Sequence, residues 1–137
     1  MEKIRLQVRQ KKLNVYIANN FADRLRGLML RDKSFLPMGT GILLAPCSSI
    51  HMIFMHFAID VAYIDRDYQV LKCVKNIRPW LGLSACWQKG TWATLELPQG
   101  TIEQYGMYAG MKLVSLEKQN NKCYNVARKI QKPPIDG

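Results

Sequence analysis

The chain has 137 residues, 48% of them hydrophobic, and carries a formal net charge of +10. This length corresponds to one typical domain, and the hydrophobic content excludes intrinsic disorder for the body of the chain. The sequence has no run of about 18 apolar residues and no apolar segment after Met1, so we expect neither a transmembrane helix nor a signal peptide. We therefore expect a cytoplasmic protein.

The excess positive charge lies mainly at the two ends of the chain. Residues 1–12 and residues 118–137 each hold five basic residues and one acidic residue, whereas residues 13–117 hold ten basic and eight acidic residues. Basic termini attract anionic surfaces and nucleic acids without sequence specificity. We predict a single β-rich domain over residues 1–117 and a basic, flexible tail over residues 118–137.

The cysteines show no recognisable pattern of metal ligands. Cys47, Cys73, Cys86 and Cys123 include no C-x-x-C pair, which argues against a zinc ribbon. In a cytoplasmic protein we expect all four to be reduced thiols.

The first forty residues predict a hairpin followed by a helix. Ile4, Leu6 and Val8 alternate with polar residues, and the alternation resumes at Leu13, which predicts a β-hairpin over residues 4–18. Asn19-Asn20 offers an N-cap, and the apolar spacing that follows predicts a helix over residues 21–30. Residues 31–41 are predicted to form a loop.

From Gly41 onward the sequence indicates β-structure. The predicted strands cover residues 42–45, 50–54, 58–64, 69–74, 92–97 and 112–117. Residues 76–91 are predicted to be irregular, a length typical of functional or mobile loops. Thr101-Ile102-Glu103-Gln104 predicts a capping box and a short helix that Gly106 ends. The predicted fold is therefore mainly β: a small antiparallel β-sandwich or a partly open barrel with one or two short α-helices.

The segment from Cys47 to Asp60 holds both histidines of the chain. A nucleophilic pair of Cys47 and His51 would place the two residues about 13 Å apart in an extended strand, too far for proton transfer. A small enzyme that uses Cys47 or His51 is therefore an alternative hypothesis rather than the leading one.

Four residues of this segment are weak candidates for a soft-metal site. Thioether and imidazole ligands suit copper(I), and the candidates are His51, Met52, Met55 and His56. In a strand, His51 and Met55 lie on one face, and Met52 and His56 lie on the other. The members of each pair are four positions apart, which is too far for them to share one ion. We therefore predict no metal site and no cofactor.

The leading hypothesis is a non-catalytic binding or accessory protein. Asp60 lies within an apolar strand, and a buried carboxylate needs a partner, which His51 or Arg78 could supply. With Trp80 nearby, these residues form the candidate binding cluster. The expected partner is another protein or an anionic surface. Non-specific nucleic-acid binding through the basic termini is a further, less favoured alternative.

Several motifs occur in the order found in a known family. The chain resembles the family catalogued as domain of unknown function 192 over residues 13–117. The similarity rests on Arg24–Met29 (RLRGLM), Gly41–Leu44, Cys47–Val61, Asp65–Leu71, Leu95–Gly100 and the glycines Gly106 and Gly110. The resemblance implies a compact β-rich domain and no established activity. Met111-Lys112 follows Gly110 where many relatives have an aspartate, so no role of that carboxylate is carried over.

Overall fold

The computed structural model describes residues 2–18, 32–52 and 54–116. These residues form nine β-strands, one α-helix and one 3-10 turn. The strands are β1 Glu2–Val8, β2 Lys11–Ala18, β3 Thr40–Leu44, β4 Ser49–His51, β5 Ile59–Ile64, β6 Val70–Ile77, β7 Leu83–Ala85, β8 Ala93–Pro98 and β9 Val114–Ser115. The helix α1 is Thr101–Tyr105, and the 3-10 turn is Lys33–Phe35.

Seven strands form one curled sheet, in the order β6-β5-β8-β3-β2-β1-β9, and β4 pairs with β7 in a separate two-stranded ribbon. This arrangement confirms the predicted mainly β fold, in the form of a partly open barrel. The pairing is antiparallel with one exception among the described strands, since β2 and β3 run parallel. Residues 19–39 separate β2 from β3, and a connection of this length permits the parallel crossover that a tight turn forbids.

The sheet is covered on both faces along the three adjacent strands β5, β8 and β3. Every residue of β5 and β8 is buried, and four of the five residues of β3 are buried. Alternate side chains enter two clusters: an α1-side core that includes Leu43, Leu95 and Ile102, and a ribbon-side core that includes Ile42 and Tyr63. This two-sided burial explains why β3 and β5 are continuous apolar runs in the sequence.

Most of the predicted strands are confirmed with bounds shifted by up to three residues, but the last one, predicted over residues 112–117, covers only Val114–Ser115 among the described residues. The sequence predicts the hairpin turn at Gln10, Lys11 and Lys12, whereas the structure places it at Arg9-Gln10. The strand predicted to run to Phe54 ends at His51, and Phe54 has a positive φ of 65°, which breaks an extended strand. Residues 76–91, predicted to be irregular, contain β7. Three predictions concern residues outside the described ranges: the helix over residues 21–30, the tail at 118–137 and the thiol of Cys123.

The predicted capping box at α1 is wrong. The helix begins one residue earlier than expected, with Gly100 as its N-cap at a φ of 93° and no capping bond from a side chain of its own first turn. The acceptor comes instead from β5, where the Asp60 carboxylate accepts the N–H groups of Gly100 and Ile102. Gly106 ends the helix as predicted, with a φ of 63°.

The absence of a side chain at Gly82 allows the segment that leads into β7 to pack closely against the end of β6. A Cβ atom at this position would lie 2.5 Å from Ile77 Cγ2 and 2.6 Å from the Arg78 carbonyl oxygen. We expect Gly82→Ala to lower the free energy of unfolding by about 1–3 kcal/mol, because the backbone oxygen must move. Urea unfolding measures this change. Gly41→Ala, whose Cβ would meet its first neighbour at 3.0 Å, should cost less, and equal losses would contradict this account.

Candidate functional site

The ribbon of β4 and β7 has a covered inner face and an uncovered outer face. On the inner face, Ile50 and Cys86 enter the ribbon-side core, and Tyr63 donates a hydrogen bond of 2.8 Å to Ser84 Oγ. The outer face carries the alternate residues, with His51 opposite Leu83 in the strand register. One side of the ribbon is therefore fixed to the sheet, while the other has no covering among the described residues.

Large apolar side chains are concentrated on and beside this outer face. Leu81 is 84% exposed, Leu83 is 79% exposed and Trp87 is 89% exposed. Phe54 and Trp80 are about half exposed and lie on the segments that flank the ribbon. We call these five residues the apolar patch. Scattered single exposed apolar residues are normal, but a concentration of this kind marks an interaction surface.

Trp80 is held in place by its neighbours. Its ring packs edge-on against Phe54 at 5.6 Å between ring centroids, and it is stacked with His56 at 6.1 Å. Its backbone N–H donates to the Met52 carbonyl at 2.8 Å, and its φ is 67°. A non-glycine residue with a positive φ is uncommon and costs free energy. The fold therefore presents this indole in a defined orientation.

Basic residues border the apolar patch. Lys75 and Arg78 line an open groove of about 380 Å³ together with Leu81 and Leu83. The Lys72 ammonium donates to the Ala85 carbonyl on β7 at 2.8 Å. The sequence has no acidic residue between positions 68 and 95. The border is therefore positively charged, with no carboxylate from its own segment to neutralise it.

Asp60 occupies a different place from the one predicted. Its side chain is 1% exposed and accepts three backbone hydrogen bonds, from Asn76 at 3.0 Å, Gly100 at 3.1 Å and Ile102 at 3.0 Å. At this point two residues of β6 oppose one residue of β5, because the register shifts between Ile59 and Val61. The carboxylate thus joins a β-bulge to the first turn of α1.

The predicted cluster is therefore divided by the sheet. The donors that satisfy Asp60 are backbone groups and not His51 or Arg78, and Ile102 belongs to the α1-side core. His51, Arg78 and Trp80 are exposed and lie on the ribbon side. Trp80 belongs to the apolar patch, and the structure brings His51 and Arg78 beside it, whereas Asp60 lies on the opposite face of β5.

The weak metal candidates are also divided. Met52 and Met55 are buried in the ribbon-side core, whereas His51 and His56 are exposed. No group of three or more His, Cys, Asp or Glu side chains suited to a metal occurs within 2–18, 32–52 and 54–116. The two thioethers act as core packing, as Met commonly does.

The described cysteines are free thiols. Cys47 donates through Sγ to the Ser49 carbonyl at 3.0 Å. Cys86 is buried, and the Thr91 hydroxyl contacts its Sγ at 3.3 Å. Burial raises the pKa of Cys73 above its usual value, with a smaller contribution from the Asp60 charge. A raised pKa keeps a thiol protonated and less nucleophilic.

Glu96 is a buried acid that sequence reasoning missed. It lies on β8 between Ile42 and Val61 of the neighbouring strands. The residue is 6% exposed, and its Oε2 atom has no hydrogen-bond partner among the residues that the structure describes. Burial raises the pKa of this carboxyl from 4.5 to about 8, so it is mainly protonated at neutral pH. Buried acids with raised pKa values occur at functional sites and in structural networks alike.

Tyr63 shares the ribbon-side core with Glu96. Desolvation by burial raises the pKa of its phenol to about 12, although the hydrogen bond to Ser84 opposes this shift. The phenol therefore stays protonated and acts as a donor to the ribbon. In the sequence, Leu95-Glu96-Leu97 follows ordinary strand alternation, which predicts a solvent-exposed Glu96. The only signal for a buried acid would have been evidence that the second face of β8 is also covered.

The architecture defines the chain as a mainly β protein with a single curled, half-barrel sheet. Within the described part of the chain, no helix has the length and hydrophobicity needed to cross a membrane. The profile of the DUF192 family, described as "Uncharacterized ACR", matches residues 4–115. The chain belongs to this family, which confirms the resemblance found in the sequence.

Curated relatives in two archaea carry the family name UPF0127. A UPF0127 protein of Pyrococcus furiosus is 29% identical over 107 residues, which cover 74% of this chain and 86% of the relative. A UPF0127 protein of Thermococcus sibiricus is 39% identical over 72 residues, which cover 48% of this chain and 44% of the relative. Neither description states an activity.

Two solved structures share the fold. A protein of Sinorhizobium meliloti, described as a "putative transcription regulator", superposes with a TM-score of 0.72 at 22% identity, covering 83% of this chain and 92% of that one. A protein of unknown function from Novosphingobium aromaticivorans gives a TM-score of 0.69 at 19% identity, covering 82% and 83%. At these identities the similarity shows the fold alone.

Proposed function

We propose that this protein is a non-catalytic binding domain that holds its partner on the outer face of the ribbon. The observation that carries the proposal is the exposure of three large apolar side chains on or next to β7, namely Leu81, Leu83 and Trp87. Exposed apolar area of this kind is removed from water when a partner covers it, which favours association.

The rest of the fold also supports a binding site on the outer face of the ribbon. The curled sheet buries both faces of its central strands, so it has little apolar surface left to offer there. The ribbon contributes His51, and the segment before β7 contributes Arg78 and the fixed Trp80. These are three of the four residues that the sequence predicts for binding. A single domain over residues 1–117 and a location in the cytoplasm remain parts of this proposal.

Site-specific photo-crosslinking in the native host tests the proposal. A photoreactive benzoyl-phenylalanine at Leu83 should give crosslinked adducts, of protein or of lipid, because it replaces an apolar side chain at the centre of the apolar patch. The matched control carries the same group at Arg66, which is exposed in the β5–β6 turn. We expect adducts at position 83 in clear excess over position 66.

Equal adduct yields at the two positions, or none at position 83, would refute the binding face. The other functions predicted from the sequence, catalysis by Cys47 or His51 and nucleic-acid binding by the basic termini, stay predictions. The contacts of Cys47 and the exposed position of His51 add no observation in favour of catalysis.

A further inference from the structure

We infer that the outer face of the ribbon docks on an anionic phospholipid bilayer, with the apolar patch entering the interface and the basic border contacting the headgroups. This inference rests on the proposed function and names the partner of the same face.

The basic residues beside the ribbon favour an anionic partner. Lys72, Lys75, Arg78 and Lys89 are all exposed, and they are the charged residues of positions 68–95. None of the four makes an ion pair with another described residue, and the Lys72 ammonium contacts a carbonyl oxygen instead. Unneutralised basic residues beside one surface are attracted to anionic headgroups. Each such residue near an anionic membrane increases the binding affinity about fivefold.

The apolar residues of the patch are of types that enter a membrane interface. Tryptophan favours the interface between water and hydrocarbon, where its apolar ring and its N–H group are both accommodated. Trp80 and Trp87 flank Leu81 and Leu83, whose aliphatic side chains are the kind that enters the acyl region. Lys75 and Arg78 lie along the same groove as the two leucines, so apolar and cationic groups can reach one surface together.

A nucleic acid fits this surface less well. Single strands are bound by aromatic rings that stack on bases, and Trp80 already has His56 stacked on it and Phe54 against its edge. The most exposed aliphatic residues, Leu81 and Leu83, offer neither stacking nor hydrogen bonds. An acidic protein partner would use the same charges, and the experiment separates that outcome.

The test is co-sedimentation of the full chain with two kinds of vesicle. One contains phosphatidylcholine alone, and the other contains equal parts of phosphatidylcholine and phosphatidylglycerol. We expect binding to the anionic vesicles, a loss of binding as salt rises, and a blue shift of the tryptophan emission on binding. The blue shift reports entry of an indole into the interface, which charge attraction alone would not cause.

Two double variants divide the contributions. Lys75→Glu with Arg78→Glu should weaken binding by at least about twentyfold. Leu81→Ser with Leu83→Ser should weaken it by at least about tenfold and reduce the blue shift, because apolar burial is lost. The matched controls are Lys12→Glu with Lys112→Glu, and Tyr108→Ser with Val114→Ser, at exposed positions away from the ribbon. Thermal unfolding of each variant establishes that it is folded.

The inference is overturned by any of three results: no binding to anionic vesicles, control variants that lose as much binding as the ribbon variants, or binding without a blue shift. Position-specific crosslinks from Leu83 to a protein, combined with no vesicle binding, would remove the lipid partner and leave the proposed binding function intact. Failure of both experiments would remove the binding face itself.

Discussion

Replacing Asp60 by alanine is expected to lower the free energy of unfolding by about 3–5 kcal/mol. The change removes the acceptor of three backbone N–H groups, those of Asn76, Gly100 and Ile102. The bond from Ile102 is buried and the other two are partly buried. A buried donor left unpaired costs about 1–3 kcal/mol, because it has given up its hydrogen bonds to water. Urea unfolding measures the loss.

Two variants make this prediction specific. Asp60→Asn keeps one acceptor oxygen and should lose less stability than Asp60→Ala. Asp65→Ala is the matched control, since Asp65 also accepts two backbone N–H groups, of Asp67 and Gln69, but in an exposed turn where water can replace it. Hydrogen exchange at Ile102 should accelerate in Asp60→Ala. Equal stability losses for Asp60→Ala and Asp65→Ala would contradict the role assigned to Asp60.

The stability of the wild-type protein should fall as pH rises from about 4.5 to about 8, because of Glu96. Burial raises the pKa of this carboxyl from 4.5 to about 8 in the folded state. Within this window the folded protein holds a proton that the unfolded chain releases, so raising the pH favours unfolding. The full contribution is up to about 5 kcal/mol, and it is complete above the folded pKa.

Glu96→Gln isolates this contribution. The amide cannot ionise, so the stability of the variant relative to wild type should increase with pH across the window and then level off. Glu103→Gln, at an exposed position in the first turn of α1, should show no such trend. Denaturant unfolding at a series of pH values measures both. A difference between Glu96→Gln and wild type that stays constant with pH would show that Glu96 ionises freely in the folded protein.

Local patterns were sufficient to predict the frame of this fold. Alternation in β1 and β2 predicts the hairpin because those strands bury one face. The apolar run of β5 and the turn at Asp65 likewise predict the β5–β6 hairpin. Each of these signals depends on residues close together in sequence, and such patterns survive folding when tertiary contacts agree with them.

The parts that local patterns missed depend on which element covers which face. Thr101 looks like an N-cap, but Asp60, some forty residues earlier, takes that role. Glu96 looks like the wet side of an alternating strand, but the sheet buries its second face as well. The apolar patch had no signal beyond the presence of Trp80, Leu81 and Trp87, because composition does not reveal whether an apolar residue is buried.

One edge of the curled sheet bears on the behaviour of the protein at high concentration. The edge strand β6 carries exposed Lys72 and Lys75, and Asn76 adopts a φ of 56° at the bulge. Edge strands present unpaired backbone groups to other chains, and lysines and bulges discourage that pairing. The lysines that border the ribbon therefore also oppose strand-by-strand polymerisation, a process that would otherwise draw the neighbouring apolar side chains into a fibre.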